Sequence, residues 1–431
     1  MALKTKWLLN KAKSSSCPMV GVYRALSFSK GCVVIFHSPL GCAHVAQTMD
    51  MGSGFRVLAD GGRESMKGIP LVSSNLREKD GIFGGIDRLH QCISYVMEAY
   101  KPQCLFIVTS CVAGVIGDDV EEEASLAEEE YGIPVIAMPF AGFLGGEYSE
   151  GYYQTVNLMI SRFFEKQEKL AGTVVLLGDQ MGPEGQYVRE VKRLLSLFGL
   201  QVLYQFPGYV PFEEWKLVPC ASLSILLGTA GQPGGMADVA EKLEKDYDIP
   251  TLGAVYPVGW ENTQQWIRAL AKKLGKVEKG EAIIKDEEIR IQNAVKDFIP
   301  VTKGKKAVIG VGRGPRWYNP AETLSSVSRL EMEISGVVLF NNLTDQEKAA
   351  LKERISDFGQ VPVYDTEKGQ AVINEADVFL TTNEVFNTKT KQLFIPMVPL
   401  TGTEGEIAQL RAVYRLLCRY GNKGGVAYVT V

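Results

Sequence analysis

Histidine is nearly missing from these 431 residues: there are three, His37, His44 and His90, all in the first hundred. A site built on several histidines is therefore excluded beyond residue 90. Long apolar runs are missing too. None approaches the roughly 20 residues that a bilayer-spanning helix needs, so no membrane partner is expected. No charge sign dominates: 46 Lys and Arg stand against 50 Asp and Glu, for a formal net charge of −4 and a pI near 5.7. A nucleic-acid face needs clustered cations. The densest basic stretch, "TKGKKAVIG" at 302–310, runs straight into a strand and reads as a solvated linker. Phosphate-binding signatures are incomplete. "GVGRGPRW" (310–317) and "GTAGQPGG" (228–235) follow strands, yet neither completes G-x-G-x-x-G with an acidic residue downstream, and no G-x-x-x-x-G-K-[ST] occurs. A nucleotide-dependent transferase or dehydrogenase is thereby disfavoured. The opening "MALKTKWLLNKAKSSSC" has no small-residue cleavage site, which predicts no signal peptide and a cytoplasmic chain.

What is present is an alternation of strand and helix. Short apolar or β-branched segments at 32–36, 104–109, 134–138, 173–178, 201–206, 223–228, 251–256, 306–311, 336–342, 377–382 and 426–431 read as buried parallel strands. Between them, "EGQYVREVKRLLSLFG" (184–199), "ADVAEKLEKDYDIP" (237–250) and "DQEKAALKERISDFG" (345–359) carry apolar residues at helical spacing. The strand–helix–strand unit recurs three times. "FFEKQEKLAG" (163–172) and the charged run at 272–292 read as the joints. The expectation is an α/β protein of three Rossmann-like domains, 1–168, 169–295 and 296–431, each a mostly parallel sheet flanked by helices. Ligands in such sheets sit beyond the carboxyl ends of the strands.

Eight cysteines over this length do not make a disulfide framework. Cys32, Cys92, Cys104, Cys220 and Cys418 lie in or beside apolar segments, where Cys is commonly an inert small hydrophobe. Cys17, Cys42 and Cys111 differ. Each sits at a turn flanked by Gly or Pro, where backbone can approach a bulky group and offer N–H donors. Thiolates with backbone donors suit an iron–sulfur cluster, but three are one short of the usual four, so another chain would have to supply the remainder. Asp118 and Asp119, after the Cys111 turn, read as caps of the next helix rather than as a catalytic acid pair.

"HSPLGC" (37–42), "FGGIDRL" (83–89) and "SCVAGVIGDDVE" (110–121) resemble the component 1 family of nitrogenases and their relatives. That family includes molybdenum–iron protein subunits, a cofactor-assembly scaffold and the light-independent protochlorophyllide and chlorophyllide reductases. The stretches at 184–208, 238–270 and 376–400 extend the resemblance along the chain. The resemblance implies that Cys17, Cys42 and Cys111 bind an iron–sulfur cluster, 4Fe-4S or larger, shared with a homologous component 1 subunit. It implies that Phe83 lies where an ATP-dependent iron protein docks. Tyr148 and Tyr152 stand where nitrogenase carries cofactor-facing Gln and His, and are candidates for a substrate cleft. The cysteine that anchors the iron–molybdenum cofactor would fall near "LLGTAGQPGG" (226–235), which has none, and no histidine follows residue 90. The cofactor is therefore not expected to be ligated in the known way. Two functions follow as expectations: a nitrogenase-like oxidoreductase subunit reducing something other than dinitrogen, or a non-catalytic scaffold for assembling a nitrogenase-type metal cofactor.

Overall fold

A computed structural model describes residues 17–48, 68–144, 146–229, 235–313, 318–386, 388–395, 400–420 and 426–428. Three parallel sheets account for the strands. The first contains β1 (Cys32–His37), β2 (Leu71–Ser73), β3 (Cys104–Thr109) and β4 (Val135–Met138), ordered β2-β1-β3-β4. The second contains β5 (Leu170–Leu177), β6 (Gln201–Phe206) and β7 (Ala221–Leu226), ordered β6-β5-β7. The third runs β10-β9-β8-β11-β12-β13, from β8 (Lys306–Val311), β9 (Glu333–Leu339), β10 (Val363–Tyr364), β11 (Val378–Thr381), β12 (Lys391–Phe394) and β13 (Val426–Tyr428). Helices flank each sheet, as expected for an α/β protein of three Rossmann-like sheets. Among the described residues no helix is long and apolar enough to cross a membrane.

The first and third sheets each keep a core of their own on one face, around Ile35 and Ile107 and around Val308 and Phe379, and share cores with the second sheet on the other. Along β5, Val174 and Leu176 point into a core that reaches Trp266 of the helix Trp260–Lys273 and Ile309 and Leu339 of the third sheet. Val175 and Leu177 point the other way, into a core with Phe36, Phe106 and Trp215. Period-two alternation thus lets one strand join the second sheet to both its neighbours.

The structure corrects several expectations. Residues 251–256 form no strand. Thr251 makes a single bridge to Ser224, and Pro250, Pro257 and the left-handed φ of +86° at Gly253 stop extension. The charged run at 272–292, read as a joint, is largely helical. It holds most of the helix Val277–Val295, whose Ile283, Ile284, Ile291 and Val295 are buried, partly against the helix Gly402–Cys418. β2, β10 and β12 are short strands that went unread. Cys418 is exposed, unlike the buried Cys32 and Cys104, which lie opposite each other on β1 and β3. Residues 230–234 and 314–317 of the two glycine-rich turns, and the segment 1–16 read for a signal peptide, lie outside the described residues.

Candidate functional site

The carboxyl ends of β1, β2 and β3 converge, and two of the three singled-out cysteines follow from them. β1 ends at His37, and a helix covering 40–48 begins after Pro39, with Cys42 in its first turn. β3 ends at Thr109. Ser110 then caps the helix Cys111–Ile116, its Oγ accepting from the Ala113 N–H at 3.3 Å. Cys17 stands at the N-cap of the helix Pro18–Leu26, where Pro18 fits the first helical position. That helix packs on the helix Tyr148–Phe163 closely enough that a Cβ on Gly21 would lie 2.1 Å from the Tyr148 carbonyl oxygen, and one on Gly151 2.1 Å from that of Pro18.

All three thiols are half-buried and unbridged. Burial pushes the Cys17 thiol up to about 11, and the charges of Cys42 and Cys111 add to the rise, against a Met19 N–H that favours the thiolate. Burial also raises Cys42, with Cys111 contributing, while the Ser38 hydroxyl pulls down. Gly142 abuts Cys111: a Cβ there would sit 2.4 Å from the Cys111 nitrogen and 3.1 Å from its Cβ, and φ is +54°. Among the described residues, no three His, Cys, Asp or Glu side chains converge on a single metal ion.

Phe83 ends the short helix Asp80–Phe83 and is 86% exposed. It is not packed on the core. That helix lies beside Cys111–Ile116, whose Val115 is 75% exposed, and Leu144 of the adjoining turn is exposed as well. Tyr152 is buried and stacked on the half-buried Tyr148, with ring centroids 6.1 Å apart. Burial, then the Asp179 charge, holds the Tyr152 hydroxyl well above the usual tyrosine range. Asp119 caps the helix Val120–Tyr131, accepting from the Glu122 N–H at 3.0 Å. Asp118 does not cap it. Its carboxylate accepts from the Gly85 N–H at 2.9 Å and meets His37 Nε2 at 2.9 Å. Sequence reading missed His37, Ser74 and Gly142. Only the first left a signal, a histidine closing an otherwise apolar strand.

A family model described as nitrogenase component 1 type oxidoreductase matches residues 17–404. A nitrogenase iron-molybdenum cofactor biosynthesis protein NifE from Clostridium pasteurianum is 32% identical over 64% of the chain and 58% of its own length. A nitrogenase molybdenum-iron protein alpha chain from Methanosarcina barkeri is 27% identical over 66% of the chain and 52% of its own. The chain thus spans little more than half the length of these curated relatives. A solved structure titled "Nitrogenase Cp1 at pH 5" superposes with a TM-score of 0.63, at 19% identity, covering 94% of this chain and 88% of that one.

Proposed function

The chain belongs to the nitrogenase component 1 type oxidoreductases, and on that premise we propose that it is a cluster-bearing scaffold subunit on which a nitrogenase-type metal cofactor is assembled or carried. The observation that carries the cluster is the donor set itself. Three half-buried thiols come from three turns, the charge of Cys111 adds to the rise at both Cys17 and Cys42, and among the described residues no three such donors close on one ion. Such spacing suits a body several atoms across. Gly142 leaves room beside Cys111, where any side chain would intrude. Cys17, Cys42 and Cys111 would hold the cluster, 4Fe-4S or larger, and a homologous component 1 subunit, of a second type or another copy, would complete its ligands. An iron–sulfur cluster, when bound, supplies one-electron chemistry. The chain's part is to bind it, exclude water and aim N–H donors at it.

Assembly is favoured over substrate reduction by the 32% identity to the cofactor biosynthesis protein. It is favoured also by the lack of any cysteine at 226–235 and of any histidine beyond residue 90 to ligate a cofactor in the known way. The reading as a reducing subunit keeps one observation in its favour: the exposed Ile82–Phe83 tip beside the Cys111 helix suits docking by an ATP-dependent iron protein.

Anaerobic purification with iron and acid-labile sulfide analysis, and EPR after dithionite, decides the cluster. Iron in the wild type and its loss in Cys111→Ala support it; no iron even with a homologous partner co-expressed sinks it. Transfer of a metal cluster to an apo acceptor, without turnover of protons or acetylene alongside iron protein and MgATP, supports the scaffold. Turnover moves the assignment to the reducing subunit.

A further inference from the structure

Behind the thiols, a hydrogen-bonded chain of side chains crosses three turns of the first sheet. The Ser38 N–H meets Ser74 Oγ at 3.2 Å, Ser74 Oγ lies 2.9 Å from His37 Nδ1, and His37 Nε2 lies 2.9 Å from Asp118 Oδ2. The other oxygen of Asp118 accepts from the Gly85 N–H at 2.9 Å. His37 and Asp118 have side-chain exposures of 0% and 4%, so water does not compete.

The chain has one direction that satisfies every atom. A carboxylate accepts only, so Nε2 must carry hydrogen; Nδ1 is then the acceptor, Ser74 donates to it, and Ser74 Oγ in turn accepts from Ser38. The opposite tautomer would set a nitrogen lone pair against a carboxylate. Burial works against the doubly protonated ring and lowers His37 despite the pull of Asp118. Backbone bonds brace the same point: the Ser110 N–H donates to the His37 carbonyl at 3.1 Å, and the Leu76 N–H to that of Ser38 at 3.0 Å.

Each anchored turn leads to a residue of the proposed site. His37 and Ser38 precede Cys42, Asp118 follows the helix that Cys111 opens, and Gly85 follows the Ile82–Phe83 tip. Neither His37 nor Asp118 touches a thiol in any described contact. We propose that His37 is a positioning residue, the neutral Nε2–H link that clamps the Cys42 turn, the Cys111 helix and the Phe83 tip at one buried point. Its functional meaning rests on the cluster reading above; its geometry does not.

The test reads geometry and metal separately. In apo full-length chain, bis-maleimidoethane, a short bifunctional thiol reagent, is expected to join Cys42 to Cys111, identified by peptide mass. His37→Phe should cut that yield by about tenfold, as small misplacements of converging groups do. In the anaerobically loaded protein, His37→Phe should lose iron to a chelator about tenfold faster, the size of effect seen when outer-shell partners of metal ligands are removed. Nitrogen-15 spectra of the wild type, simple with three histidines, should show His37 as the Nε2–H tautomer at neutral pH. Asp118→Asn should switch it to Nδ1–H while keeping the cross-link. An unchanged cross-link in His37→Phe, no Cys42–Cys111 cross-link in the wild type, a wild-type Nδ1–H tautomer, or an Asp118→Asn spectrum like the wild type would each overturn the proposal. The spectra decide even if His37→Phe fails to fold. Absence of iron in the wild type would defeat the cluster reading and leave the cross-link and tautomer results to judge the clamp.

Discussion

Two of the regions that bury carboxylates in this molecule differ in the company those carboxylates keep. At the carboxyl end of the first sheet, Asp118 has each oxygen met by a donor, the Gly85 N–H and the His37 ring. At the seam between the second and third sheets, Glu322 and Glu406 line a small cavity with Tyr318, Ser326 and Gln409. Glu406 Oε2 accepts from Ser326 at 2.6 Å, but Oε1 has no hydrogen-bond donor, and the Arg329 Nε stands off at 3.5 Å. Burial pushes Glu406 up to about 7 and Glu322 up to about 8, and their mutual charge adds to the Glu322 shift. An acid whose lone pairs are matched by donors can be buried as an anion; one left short of donors keeps its proton. The first region meets both oxygens of its carboxyl with donors, and the second leaves one oxygen unmatched.

The sharpest way to break the first region is steric. Gly142→Val places a β-branched side chain on a left-handed backbone, with its Cβ 2.4 Å from the Cys111 nitrogen. Strain and clash together should cost roughly 3–5 kcal/mol in urea unfolding. Iron content should fall with it. A variant as stable and as iron-rich as the wild type would show that the turn at 142 does not support Cys111.

The second region is broken by pH. Glu322 and Glu406 have folded pKa values above the roughly 4.3 of an unfolded glutamate, so the native state binds more protons than the unfolded one between about pH 4.5 and 8. Stability is therefore fully present at the acid end of that window and is lost as pH rises through the folded values. The loss should reach several kcal/mol by pH 8.5, read as a falling Tm. The groups facing Glu322 are Asn262, Asn319, Glu406 and Arg354, and those facing Glu406 are Ser326, Arg329, Glu288 and Glu261. Glu322→Gln retains an oxygen for the Asn262 donor, at 2.8 Å in the wild type, and removes the titration. Its Tm should depend less on pH and exceed that of the wild type by the equivalent of about 1–2 kcal/mol at pH 8.5. A pH slope identical to that of the wild type would refute the assignment.

What the sequence disclosed follows the same division. Strands that are continuously apolar, such as "CLFIVT" and "KAVIGV", were legible because burial on both faces leaves no other pattern. β10, two residues long, leaves no period to read. The helix Val277–Val295 was hidden by its own charges, since a helix needs apolar residues on one face only, and here Arg193 reaches across to the buried Glu287 at 2.9 Å. Cys17, Cys42 and Cys111 stood out because Gly and Pro flank them. His37, Ser74 and Asp118 were not legible as a unit: they meet only when three strands stack in register, Phe36 opposite Ser73 and His37 opposite Thr109. The carboxylate seam was equally silent, because Glu322 and Glu406 come together through folding over 84 positions that carry no local trace.

The smallest expected effect on the isolated chain is at Phe83, and smallness is the point. A large aromatic ring that is 86% exposed contributes little to its own fold. Phe83→Ala should therefore change stability by no more than about 0.5 kcal/mol, leave iron content unchanged and leave the His37 tautomer as it is. Binding of an ATP-dependent iron protein, measured anaerobically by titration calorimetry, should weaken by about 2 kcal/mol or more if that tip is a docking hot spot. A fold that unravels without the ring would mean that Phe83 packs on core in solution. Unchanged binding would move the docking face elsewhere and remove the one structural argument for the reducing-subunit reading.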